Sequence, residues 1–80
     1  MAARLAAMLL QLAREQEEAT ADGAVAVRAT QVELAGMIGA ARESVNNWLG
    51  SYERRGFLRR QRGVITILDP DGLRRELDAP

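Results

Sequence analysis

The chain has 80 residues, of which 48% are apolar, and it carries eleven basic and eleven acidic side chains. This length suits one small domain, and no stretch is apolar enough to span a membrane. Cysteine and histidine are absent, so disulfides, thiolate nucleophiles, the commonest general base and the commonest metal ligand are excluded. We therefore expect no enzyme, no cofactor and no metal site. The sequence shows no secretory signal, so we expect a cytoplasmic protein.

The zero net charge conceals an uneven distribution. All eleven cations are arginine, and residues 42–68 carry a balance of +4 while the segments on either side carry −2 each. A basic patch on a neutral domain favours local contact with phosphates, although the same arginines also suit a merely solvated surface.

The first third of the chain predicts one helix and a weak strand. In residues 3–18, apolar side chains recur at helical spacing, namely Leu5, Met8, Leu9 and Leu12. A loop with a turn at Asp22-Gly23 follows, and alternating valines then suggest a short strand over 24–28.

Two helices and a tight turn come next. Thr30 and Glu33 form a capping-box pattern for a helix that ends at Gly39, with Leu34, Met37 and Ile38 as its apolar face. A third helix over 42–55 has its buried stripe at Val45, Trp48, Leu49 and Tyr52.

The last part predicts a hairpin and a fourth helix. Strands at 57–61 and 64–68 flank an Arg62-Gly63 turn, and Asp69-Pro70 begins a helix with Leu73 and Leu77 as a thin apolar stripe. The expected fold class is α+β, mainly helical, with helices beside a small antiparallel sheet.

The spacing in the middle of the chain is typical of a helix-turn-helix. Such a motif needs a small residue in its first helix, a turn residue four positions later, and apolar residues six and nine positions after that turn. These requirements are met by Ala35, Gly39, Val45 and Trp48. An ordinary helical hairpin remains the alternative, but the hairpin at 57–68 would serve as a wing and favours the motif.

The exposed face of the third helix carries side chains that suit base edges. Arginine pairs with guanine, glutamate accepts from cytosine, and asparagine pairs with adenine. We expect base contacts from Arg42, Glu43, Asn46 and Asn47. A solvated helix start is the alternative interpretation of Arg42 and Glu43.

Contacts to the DNA backbone are expected from the second helix, the third helix and the wing. The helix start at Thr30 can present free N–H groups to a phosphate, and the wing tip can reach the backbone or a minor groove. The residues assigned to this role are Thr30, Gln31, Ser44, Arg62 and Gly63. The sequence does not show which of four further arginines contact phosphates and which are only solvated: Arg54, Arg55, Arg59 and Arg60.

The motifs of this sequence resemble the DNA-binding half of the Crp/Fnr (cyclic-AMP receptor protein/Fnr) family of transcription regulators. The resemblance is carried mainly by Thr30-Gln31-x-Glu33-Leu34-Ala35-x-Met37-x-Gly39-x-x-Arg42-Glu43-Ser44-Val45, with support from Arg4-x-Ala6-x-x-Leu9-Leu10-x-Leu12-Ala13, Gly56-Phe57-Leu58 and Gly63-x-Ile65-x-Ile67-x-Asp69. It implies a small winged helix-turn-helix domain over 1–80, with the helix-turn-helix at about 31–55 and the wing at about 57–68.

The resemblance also implies function. It implies sequence-specific binding of double-stranded DNA at a palindromic promoter site, with a homodimeric parent protein and with Arg42 and Glu43 as base readers. The family's effector-binding domain is absent from this sequence. Two residues depart from the family, which usually has Ser or Thr where this chain has Ala41 and commonly has Arg where it has Asn47. A winged helix used for protein–protein contact is the alternative function.

Overall fold

The computed structural model describes residues 2–16, 18–19 and 24–78. The described elements, in chain order, are α1 (Ala2–Gln16), β1 (Glu18–Ala19), β2 (Val25–Arg28), α2 (Gln31–Ile38), α3 (Arg42–Arg54), β3 (Leu58–Gln61), β4 (Val64–Ile67) and α4 (Pro70–Asp78). The four predicted helices and the three predicted strands are confirmed. The sequence did not predict β1, and the expected turn at Asp22-Gly23 lies outside the described residues.

The sheet connects the wing to the body of the domain. Its strand order is β1-β2-β4-β3, with every neighbouring pair antiparallel. The hairpin β3–β4 pairs Leu58 with Ile67 and Gln61 with Val64. On its other side β4 pairs with β2, so Arg28 lies opposite Val64. The wing is therefore held by the strand that leads directly into α2.

One core joins the helices to the sheet. Its fully buried side chains come from every helix and from β2, β3 and β4: Leu5, Leu9, Val27, Leu34, Val45, Leu49, Tyr52, Leu58, Ile67 and Leu73. The α4 helix packs against α1, and Arg55, just after α3, pairs with Glu76 of α4. The α+β class with helices beside a small antiparallel sheet is confirmed.

Four side chains of the predicted apolar stripes are not fully buried. Met37 is 49% exposed and Leu77 is 44% exposed, while Met8 and Trp48 are only half-buried at the edge of the core. The short helix α2 packs through the narrow line of Leu34, Ala35 and Ile38, which leaves Met37 on the solvent side.

The helix starts match two of the predicted caps. The Thr30 hydroxyl accepts from the N–H of Glu33 at 3.1 Å, and the Glu33 carboxylate accepts from the N–H of Thr30 at 3.0 Å. At α4, Asp69 accepts from the N–H of Gly72 at 3.0 Å. These bonds fix the entry of both helices.

The described helices have no membrane-spanning capacity, because none of them is both long enough and apolar enough. Among the same residues, no group of three or more acidic side chains is arranged to hold a metal ion.

Candidate nucleic-acid interface

The turn between α2 and α3 sets the position of α3. Gly39 adopts a left-handed conformation with φ 70° and ψ 36°, which glycine tolerates without steric cost. The N–H of Ala40 donates to the carbonyl of Ala35 at 3.0 Å, which closes the end of α2. Ala35 and Val45 are both buried where the helices pack. The turn therefore holds α3 against α2, as the spacing predicts.

The solvent face of α3 carries the predicted base readers. Arg42, Glu43, Asn46 and Asn47 are all exposed in the first two turns, while Ser44 is half-buried. The opposite face is fixed in the core by Val45, Leu49 and Tyr52. The rotation of α3 about its axis is thus set by its apolar side, and its polar side faces outward.

A groove of about 520 Å³ lies between the start of α2, the face of α3 and the wing. Six predicted site residues from both groups line it: Thr30, Gln31, Arg42, Asn46, Arg62 and Gly63. Glu43, Ser44 and Asn47 do not line the groove. The structure therefore brings four of the five predicted backbone-contacting residues together with Arg42 and Asn46 of the predicted base-reading face.

The groove is electropositive. Three arginines line it, Arg42, Arg60 and Arg62, and none of its lining residues is acidic. The start of α2 opens into it. The capping box takes the N–H groups of Thr30 and Glu33, which leaves those of Gln31 and Val32 without a partner within the helix. Together with the helix dipole, these groups favour an anion at this place.

The wing tip is a two-residue turn with unusual backbone angles. Arg62 has φ 50° and Gly63 has φ 76°, the pattern of the hairpin turn that matches strand twist. The Gly63 carbonyl accepts from the N–H of Ala29 at 3.2 Å. The tip is therefore anchored next to α2, with the Arg62 side chain exposed.

A hydrogen-bond network that the sequence did not reveal crosses the floor of this face. Asn46 Oδ1 accepts from Gln31 Nε2 at 2.9 Å and from Arg60 Nη1 at 3.0 Å. The Glu53 carboxylate accepts from Arg60 three times, from its backbone N–H at 3.1 Å, Nε at 3.3 Å and Nη2 at 3.1 Å. Arg60 is therefore an internal residue of the site, held by protein partners rather than lying free on a solvated surface.

The environment of Glu53 favours its charged form. The backbone N–H of Arg60, donated to the carboxylate, holds the pKa of Glu53 below its ordinary value, with the Arg60 guanidinium acting in the same direction and burial opposing it. Glu53 thus remains a carboxylate at neutral pH and keeps its contacts to β3.

The spacing on α3 contains a signal for this network. Asn46, Gly50 and Glu53 stand at i, i+4 and i+7 and so share one face of the helix. A Cβ on Gly50 would lie 3.8 Å from Arg60 Nη2, so the Arg60 side chain lies across this face. The pattern itself cannot name Arg60 as the partner, because that depends on where β3 passes α3.

Comparison with known proteins places the geometry in a family. The family model described as "Crp-like helix-turn-helix domain" matches residues 3–76. The chain belongs to this family. This agrees with the resemblance seen in the sequence, and the winged helix-turn-helix fold is confirmed.

Relatives from Thermus thermophilus carry the same domain. The chain is 38% identical over 71 residues to the transcriptional regulator SdrP, a match that covers 89% of this chain and 35% of SdrP. It superposes on the crystal structure of a CRP/FNR-family transcriptional regulator with a TM-score of 0.89 and 34% identity, covering 99% of this chain and 41% of that one. A CRP-family regulator gives a TM-score of 0.88 at 29% identity, with coverage of 98% and 40%. The chain thus spans about two-fifths or less of the length of these relatives.

Proposed function

We propose that this domain binds double-stranded DNA sequence-specifically, with α3 in the major groove, as the DNA-binding domain of a Crp/Fnr-type transcription regulator. The observation that carries the proposal is the electropositive groove in which the start of α2, the exposed start of α3 and the wing meet. The major groove admits an α-helix, and phosphates flanking it suit helix N-termini and arginines. The SdrP relative is itself a transcriptional regulator.

The proposed roles follow from side-chain chemistry. Arg42 donates a fork to guanine, Glu43 accepts from cytosine, and Asn47 offers both an acceptor and a donor to adenine. Asn46 shares their exposed face, and its part is treated separately below. The proposed backbone contacts are those of Thr30, Gln31, Ser44, Arg62 and Gly63, of which only Ser44 lies outside the groove.

The same proposal covers the parent protein. A homodimeric regulator would place two such domains on the half-sites of a palindrome, about 34 Å apart, and each domain alone would bind weakly. In this proposal the domain binds DNA and catalyses no reaction, and the protein acts in the cytoplasm, where bacterial DNA lies.

The test is a selection of preferred duplexes from a random library, followed by titration of Arg42→Ala. Loss of the fork to guanine is expected to cost about 1–3 kcal/mol of specific affinity and to relax preference at one base pair. The matched control is Arg14→Ala, which removes the same charge from an exposed position on α1 outside the groove. Equal affinities of Arg42→Ala and the unaltered domain for the selected duplex would remove Arg42 from base reading.

A further inference from the structure

We propose that Asn46 is a positioning residue rather than a reader of adenine: its side-chain carbonyl holds α2 and the wing to the recognition helix. The inference rests on the proposed DNA binding and concerns the division of work among the four exposed polar residues of α3. It starts from the two donors that converge on one oxygen, Gln31 Nε2 and Arg60 Nη1.

The chemistry of the partners fixes the orientation of the amide. Arginine has only donors, so the Asn46 atom that faces Arg60 must be the oxygen. That oxygen is also 2.9 Å from the Gln31 amide, which must then present its nitrogen. Both amide orientations therefore follow from Arg60.

The fixed orientation limits what Asn46 can read. Pairing with adenine needs the asparagine oxygen to accept from N6 while its nitrogen donates to N7. The Asn46 oxygen already accepts from both of its protein donors, which leaves the Nδ2 amide as the free group. By contrast, Asn47 makes no side-chain hydrogen bond to any residue in the described ranges, so its whole amide is free for a base.

The bonds to Asn46 connect three elements. Gln31 is the first residue of α2, Asn46 lies in α3, and Arg60 lies in β3. Glu53, two turns after Asn46 in α3, also binds Arg60. Arg60 is half-buried, with 27% of its side chain exposed. Removing the Asn46 side chain therefore frees Arg60 Nη1 and the Gln31 side chain, while Glu53 still holds Arg60 to α3.

The experiment compares Asn46→Ala with Asn47→Ala on the duplex selected by the unaltered domain and on every single-base-pair variant of it. Each hydrogen bond contributes about 1 kcal/mol, or roughly fivefold. Asn46→Ala removes two such bonds and is expected to lower affinity by roughly fivefold to 25-fold for all duplexes alike, with the preference at each base pair retained. Asn47→Ala is expected to relax one base pair. Relaxation of a single pair in Asn46→Ala, with the others unchanged, would overturn the proposal.

Two further variants separate positioning from a general loss of fold. Asn46→Asp keeps an oxygen for Gln31 and Arg60 but has no amide donor. A positioning role predicts that this variant keeps the base preferences of the unaltered domain, whereas base reading through Nδ2 predicts that it loses one of them.

Asn46→Ala combined with Arg60→Ala is expected to lower DNA affinity by less than the sum of the two single losses in free energy, because both changes remove the same bridge. Full additivity contradicts the proposal. A thermal melt of each variant confirms that it is folded.

A measurement without DNA keeps the inference distinct from the proposed function. In the free domain, NMR resonances of the Gln31 side-chain amide and of the Arg60 Nη1 hydrogens, the two donors to Asn46, are expected to shift in Asn46→Ala and to stay in place in Asn47→Ala. Unchanged resonances in Asn46→Ala overturn the proposal whatever DNA does. If the unaltered domain selects no duplex, the proposed function fails, and a positioning role on DNA fails with it even where the resonances shift.

Discussion

The recognition helix begins without a side-chain cap. Ala41 occupies the cap position with φ −73° and ψ 147°, an extended conformation, and it offers no side-chain acceptor to the first turn. The related family usually has Ser or Thr here, and α2 in the same domain has the full capping box at Thr30. The backbone of Ala41 is thus already in the conformation that a capping residue needs.

Ala41→Ser is therefore expected to stabilise the domain by about 0.5–2 kcal/mol, because the hydroxyl can accept from a free N–H of the first turn. Urea unfolding followed by circular dichroism measures the change. Ala41→Val is the control, since it also enlarges the side chain but adds no acceptor. An equal gain in both variants would show that capping is not the cause.

Glu53 makes the stability of the domain depend on pH. Its folded-state pKa is lowered, first by the hydrogen bond from the Arg60 backbone N–H. A lowered folded pKa contributes stability above the unfolded pKa, and this contribution disappears as the pH falls through the folded value. The contact between α3 and β3 is therefore expected to weaken on acidification.

The measurement is the free energy of unfolding of the unaltered domain and of Glu53→Gln from about pH 7 to about pH 3. The unaltered domain is expected to be the more stable at neutral pH, and the difference is expected to shrink toward the acid end. If the difference in free energy of unfolding between the two proteins is constant over the whole pH range, Glu53 is not the cause of the loss of stability in acid.

The wing combines strain with charge. Arg62 holds φ 50° in a region where side chains other than those of Asn and Asp are disfavoured. An arginine at this position therefore lowers the stability of the folded domain. The function proposed for Arg62 is contact with a phosphate.

Arg62→Asn is expected to move stability and binding in opposite directions. Asn-Gly is the preferred sequence for this turn, so the melting temperature should rise, by the equivalent of about 1 kcal/mol. DNA affinity should fall, and the slope of log affinity against log salt should become shallower by about 0.9 for one lost phosphate contact. Arg59→Asn, in the neighbouring strand β3, removes the same charge without relieving the turn and should not stabilise. An unchanged salt slope in Arg62→Asn would remove Arg62 from the backbone contacts.

Elements defined by local signals could be predicted from the sequence. The bounds of α2 follow from Thr30, Glu33 and Gly39, and the start of α4 follows from Asp69 and Pro70, because caps act within a few residues. The wing followed from the β-prone strands and the Arg62-Gly63 turn. The assignment of bases and phosphates to individual residues stays a prediction.

Features that depend on tertiary packing could not be predicted. Met37 and Trp48 fit an apolar stripe, but which side of a short helix meets the core depends on the neighbouring elements. The contacts of Arg60 with Asn46 and Glu53 join residues 14 and 7 positions apart, and they require the path of β3 past α3. The two-residue strand β1 carries no periodic signal at all.

For the whole molecule, the arrangement of charge matters more than its total. The chain has no net charge, so long-range attraction to DNA is weak, and binding must come from the groove lined by Arg42, Arg60 and Arg62. Arg60 is already paired with Glu53, which leaves few cations for phosphates in one domain. The dimer proposed above would double that number.

The most direct test of the central claim is a DNA titration of the folded domain at two salt concentrations, using random duplexes and family-like palindromes, with an artificially dimerised version in parallel. We predict preference for one palindrome and, for two phosphate contacts, roughly tenfold weaker binding at about 200 mM than at about 50 mM salt. The dimerised version should show a steeper dependence. Absence of binding at low salt in both versions, or an affinity that salt does not change, would contradict DNA reading by this face and favour a protein–protein contact module.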